Sequence, residues 1–139
     1  MFKSKSTGAD AQVDTLIGPQ VVIRGDFQFS GGLYVEGTII GSVIAVEGEP
    51  ATLTLADNGV IEGEVRAPIA IINGRIDGDI WCDERIELAA KARVQGNVHY
   101  RVVEMIAGSI LTGRLVHIES MSDEQATVHE FSKPIAVVG

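Results

Sequence analysis

Three histidines, one cysteine and a set of four carboxylates are the side chains here best suited to chemistry. His99 and His117 are 18 residues apart. In a chain that returns on itself at that interval they would lie in line, as zinc ligands on stacked coils do. Catalytic zinc takes three protein ligands and leaves one position open. The third histidine, His129, falls in a stretch without periodicity, so the expectation is no metal. Cys82 has no partner for an intrachain disulfide, which fits a reducing compartment. Its thiol reads as a small core residue. Glu62, Glu64, Asp77 and Asp79 would stack as an acidic ladder, a cation site or, more simply, a solvated face that resists lateral aggregation. Nucleophile triads, phosphate-cradling loops and Cys/His zinc spacings are absent from the sequence. Trp81 and Tyr100 are too isolated for a stacking platform and read as turn or interface packing. The chemistry-bearing residues thus point to no catalytic centre and no cofactor.

What positions them is a repeat. The pattern apolar-x-Gly-x-apolar occurs six times: Ile23 to Phe27, Ile39 to Val43, Ile61 to Val65, Ile76 to Ile80, Val94 to Val98 and Leu111 to Leu115. Its glycines (Gly25, Gly41, Gly63, Gly78, Gly96, Gly113) step by 16, 22, 15, 18 and 17 residues. A unit this short cannot bury a face alone, so it must lie on its neighbours. Within each motif the alternation has a period of two, placing Ile76, Gly78 and Ile80 on one face of a strand and Arg75, Asp77 and Asp79 on the other. That is the mark of strands with one wet face and excludes amphipathic helices.

A second set of strands lies between the motifs, around Leu33 and Val35, Leu53 and Leu55, Ile69 and Ile71, Ile86 and Leu88, and Val103 and Met105. Turn signals separate the sets. Gly37, Gly59 and Gly74 each sit four residues before a motif glycine, where a positive φ would be tolerated. The 22-residue step holds Gly48, Glu49 and Pro50, which places a loop insertion there. The expected fold is all-β: a single parallel β-helix (β-solenoid) of about six windings, right-handed by the general crossover preference, and roughly 30 Å long at ~4.8 Å per winding.

The 139-residue chain carries a formal charge of −8. Eleven Lys and Arg against nineteen Asp and Glu argue against nucleic acid, whose binding rests on clustered bases. No apolar run is long enough to span a membrane, and no signal-peptide core is present, so a cytoplasmic protein is expected. Residues 1–14 read as a flexible N-terminal tail, residues 15–118 as the repeat core and residues 119–139 as a flexible C-terminal tail, polar but ending in Pro134, Ile135, Ala136, Val137 and Val138. Neither end of the core shows an amphipathic capping helix. Bare solenoid ends are templates for another chain.

The repeat core resembles the bactofilins, the small bacterial polymer-forming cytoskeletal proteins. The closest stretches run from Leu33 through Gly37 to Gly41 and from Ile71 through Gly74 to Ile80. The start Met1-Phe2-Lys3-Ser4-Lys5 resembles the membrane-targeting peptide of many bactofilins. The resemblance implies a right-handed β-helix that assembles end to end into filaments without nucleotide. It also implies a scaffold at the inner face of the cytoplasmic membrane, with cell-wall synthesis or polarity proteins as further partners. Many members carry an aromatic residue in the last winding at the filament contact; the matching slot here holds Leu111, so that contact would be aliphatic. The assigned polymer interface is Ile23 and Phe27 near one end and Leu111 and Leu115 near the other.

The assigned membrane-binding residues are Met1, Phe2, Lys3 and Lys5. Burying Phe2 contributes about 1.5–3 kcal/mol, and each lysine adds about 1 kcal/mol beside anionic lipid. Single anchors of this strength bind reversibly; a filament presents many at once. Two other readings stand beside the filament. One is a discrete oligomeric β-solenoid adaptor. The other is a trimeric β-helix enzyme: a metalloenzyme of the γ-carbonic-anhydrase type, or an acyltransferase, whose hexapeptide coils would need a strict period of six where Gly37/Gly41 and Gly74/Gly78 are spaced by four.

Overall fold

Short runs of Val, Ile, Leu and Thr punctuated by Gly cannot build long strands, and the computed structural model, which describes residues 12–118, contains none longer than five residues. Eighteen strands form six windings of three. The first winding is β1 (Thr15–Ile17), β2 (Val22–Arg24) and β3 (Phe27–Phe29). The second is β4 (Gly31–Val35), β5 (Thr38–Ile40) and β6 (Val43–Ala45). The third is β7 (Ala51–Leu55), β8 (Val60–Glu62) and β9 (Val65–Arg66), and the fourth β10 (Ile69–Ile72), β11 (Arg75–Asp77) and β12 (Ile80–Cys82). The fifth is β13 (Arg85–Leu88), β14 (Arg93–Gln95) and β15 (Val98–Tyr100), and the sixth β16 (Val103–Met105), β17 (Ile110–Thr112) and β18 (Leu115–His117). Each strand pairs in parallel with its counterparts in the windings above and below, giving three six-stranded sheets around one core. The chain is a β-solenoid.

Register turns the repeat into columns. The first apolar residues of the six motifs stack as Ile23, Ile39, Ile61, Ile76, Val94 and Leu111. The second ones stack as Phe27, Val43, Val65, Ile80, Val98 and Leu115. Ile17, Val35, Leu55, Ile72, Leu88 and Met105 form a third column on the remaining sheet. The interior members are fully buried. Because like sits on like, each interior winding is packed between the apolar side chains of both its neighbours.

The motif itself is not one strand, as its alternation suggests, but a corner. Ile76 is in β11 and Ile80 in β12, on different sheets, and Gly78 between them has φ +151°. Both flanking side chains still point inward, so the period of two survives while the backbone turns. A Cβ on Gly78 would lie 2.2 Å from the carbonyl oxygen of Gly63, the corner glycine of the winding before. The corner therefore needs glycine for its φ and for its space.

Gly37, Gly59 and Gly74 depart from the expected positive φ; none has it. They are required by crowding instead: a Cβ on Gly74 would sit 2.4 Å from the Ala56 oxygen and 2.5 Å from that of Gly59.

The uneven repeat length also comes from corners. The turn after the first strand takes two residues in the second and fourth windings, and four in the others. The four-residue turns are closed by hydrogen bonds such as Gly59 N–H to Ala56 O (2.8 Å) and Ala92 N–H to Ala89 O (3.0 Å). The insertion expected at Gly48 is the five-residue loop 46–50 between β6 and β7.

Candidate assembly surfaces

The terminal windings are where the repeat runs out of partners. Among the described residues β1, β2 and β3 pair on one side only, and so do β16, β17 and β18. Each end thus presents three short edges of backbone N–H and C=O groups to whatever lies next.

The four residues assigned from sequence to the assembly contact are the end members of two core columns. Ile23 and Phe27 close them in the first winding and are partly buried against the core. Leu111 and Leu115 close them in the last winding, at 0% and 8% exposure. Leu111 is therefore core in the single chain. The apolar surface of the ends is carried by other residues: Val13, Leu16, Val21 and Val22 at the first winding, and Val102, Ile106 and Ile110 at the last. Of the eight large hydrophobic side chains exposed among the described residues, only Val46 lies elsewhere, in the 46–50 loop. Sequence reading passed over these seven because they stand outside the motif positions. A signal was present: Ile110 occupies the slot that Arg93 and Arg75 hold in the preceding windings. Met1, Phe2, Lys3 and Lys5, assigned to membrane binding, lie outside the described residues.

The residues that could do chemistry are dispersed. His99 and His117 are not in line: the fifth and sixth windings are offset by 17 residues, so His99 pairs with Val116 and His117 with Tyr100. Adjacent strand positions face opposite ways. His99 stacks flat on Trp81, with ring centroids 3.6 Å apart and planes 4° from parallel. The Arg66 guanidinium lies 5.0 Å from the Trp81 ring centroid on the same sheet. Burial pulls the His99 pKa below its ordinary value; Arg66 adds to this, while Asp79 and Glu64 oppose it. His117 meets the Tyr100 ring edge-on at 5.3 Å.

The acidic ladder does stack, Asp77 against Glu62, and three of its four carboxylates have local partners, although Asp77 Oδ1 is buried without one. Arg75 donates to Asp77 (3.3 Å), Arg66 donates to Glu64 (2.5 Å), and Asp79 accepts the Asn97 N–H of the next winding (3.0 Å). Cys82 is fully buried, and burial, with Asp83 beside it, pushes its thiol up to about 12. Among the described residues no group of three or more His, Cys, Asp or Glu is placed to hold a metal ion.

What the described residues offer is therefore two open ends rather than a cleft with reactive groups. The family model for polymer-forming cytoskeletal bactofilins matches residues 15–116. The chain belongs to the bactofilin family. Two curated bactofilins of Myxococcus xanthus (strain DK1622) are similar to it. BacP is 28% identical over 116 residues, covering 83% of this chain and 47% of the relative. BacO is 26% identical over 102 residues, covering 73% of this chain and 78% of the relative. The chain thus spans about half the length of BacP and most of BacO. No solved structure matches it. The bactofilin match begins at Thr15, the first residue of β1, and ends at Val116 in β18, so the matched region coincides with the six windings.

Proposed function

We propose that this bactofilin is a structural protein that self-assembles end to end into nucleotide-independent filaments. In this reading the filaments lie at the inner face of the cytoplasmic membrane, held by the N-terminal peptide, and scaffold cell-shape or cell-wall proteins. The observation that carries it is the pair of terminal windings, which carry no cap among the described residues. Each leaves three strands unpaired on one side and groups exposed apolar side chains beside them. Stacking a further chain there continues the hydrogen-bond ladders and the core columns, the same arrangement that stabilises every interior winding. Residues capable of nucleotide or metal chemistry take no part in it.

Negative-stain electron microscopy of the purified protein, without nucleotide or metal, tests this directly. Long thin filaments are expected. Discrete small particles, unchanged over salt and concentration, would overturn it in favour of an oligomeric adaptor. Membrane attachment is tested separately, by sedimentation with anionic liposomes. Deleting residues 2–5 is expected to abolish co-sedimentation; unchanged co-sedimentation rules out the anchor. Among the described residues no helix is long and apolar enough to cross a membrane, so attachment in this reading is peripheral.

A further inference from the structure

Along the side of the solenoid runs a groove of about 530 Å³, walled by the 46–50 loop and the outer face of β6, β9 and β12. Its apolar surface comes from Ile44, Val46, Pro68 and Trp81. Glu47, Glu49 and Asp83 also line it, and none of the three is in an ion pair among the described residues. Arg66 lines it as well, but is bonded to Glu64 and spread over Trp81. The groove is therefore apolar within and acidic overall. The 46–50 loop sets this winding apart: the other corners between third and first strands take two residues or fewer rather than five.

Ile118, the last described residue, is itself part of the groove. The chain beyond it thus leaves from the groove's own wall. That remainder has a divided composition. Its four acidic residues, Glu119, Asp123, Glu124 and Glu130, come first. Residues 131–138 follow and read Phe-Ser-Lys-Pro-Ile-Ala-Val-Val, apolar with Lys133 as the sole charged side chain.

We propose that residues 131–138 dock into this groove on the same chain. Their apolar side chains match its walls, and the Lys133 ammonium matches the carboxylates of Glu47, Glu49 and Asp83. The connection is long enough. The twelve intervening residues, 119–130, can reach roughly 40 Å. The four windings from the sixth back to the second span roughly 19 Å at the spacing of paired strands. Because the segment is tethered at the groove, its effective concentration is in the millimolar range, and a weak contact suffices to keep it bound. This inference concerns the flank of the solenoid and stands independently of how the ends assemble.

Trp81 is the single tryptophan of the chain, so its emission reports this surface alone. In the full-length protein, Ile135→Asp with Val137→Asp is expected to red-shift Trp81 emission and to raise its acrylamide quenching. Unchanged emission and quenching overturn the proposal. A second measurement pairs Glu47→Cys with Ala136→Cys under mild oxidation. Formation of a disulfide within one chain, seen as a shifted monomer band on a denaturing gel, is expected. Cross-linking between chains only, or none at all, overturns it, the former assigning the groove to a neighbouring copy's segment.

Discussion

Single residues in this protein act through the winding above or below them, and His99 is the clearest case. Its ring lies flat on Trp81 one winding earlier, within the fields of Asp79, Arg66 and Glu64. Burial is the dominant influence, and it lowers the pKa from the ordinary 6.5. The unfolded chain therefore takes up this proton more readily than the folded one. The stabilisation is complete above the unfolded value and is lost as pH falls through the lower folded value. A fall in the denaturation midpoint is expected as pH drops through and below the ordinary histidine value of 6.5, and His99→Phe, which keeps a ring on Trp81, is expected to flatten that slope. Identical pH profiles for the two proteins would assign the slope to other groups. Trp81, Arg66 and His99 show no kinship in sequence, because only the register β9, β12, β15 makes them neighbours.

At the scale of the element, the corner is the unit that repeats. Six glycines form a column in which each leaves no room for a Cβ on the next, as Gly63 does for Gly78. Gly78→Ala forces a side chain onto a φ of +151° and onto a backbone oxygen. A loss of at least ~2 kcal/mol is expected. Gly48→Ala is the matched control: it too has a positive φ, +83°, but open space around its Cβ. Its expected cost is about 1 kcal/mol, the left-handed backbone penalty alone. Chemical denaturation of both variants checks the ranking, and equal losses would show that the clash is relieved by backbone movement. Carboxylates beside the corners add a second tie between windings: Asp26 accepts from Ser42 N–H at 3.2 Å, as Asp79 does from Asn97.

At the scale of the whole molecule, the consequence of stacking like on like is that the described windings end with both outer faces unpartnered. Ile110 and Val22 are exposed on the terminal windings, whereas Leu111 beside Ile110 is fully buried. Ile110→Arg and Val22→Arg are therefore expected to leave the solenoid folded and to stop or shorten filaments, read by electron microscopy alongside circular dichroism. Leu111→Arg is a different experiment. It places an unpaired charge in the core and is expected to unfold the last winding, so loss of filaments there would report folding as much as contact. Normal filaments from Ile110→Arg and Val22→Arg together would remove these side chains from the assembly contact.

The sequence by itself determined the repeat, the number of windings, the inward-facing residues and the loop insertion. Each rests on local periodicity: a two-residue alternation and a motif glycine recur whatever lies above them. The family was legible for the same reason, since the six motifs are the matched region. Only the tertiary structure decided how neighbouring windings align. An 18-residue offset set His99 beside Trp81, and a 17-residue offset in the next winding took His117 out of line with His99. A corner in place of a straight strand explained the glycine column. The loop 46–50 became the wall of a groove containing Ile118. These depend on register and corner length, which are set by packing between segments some 17 residues apart and leave no trace in either segment read alone.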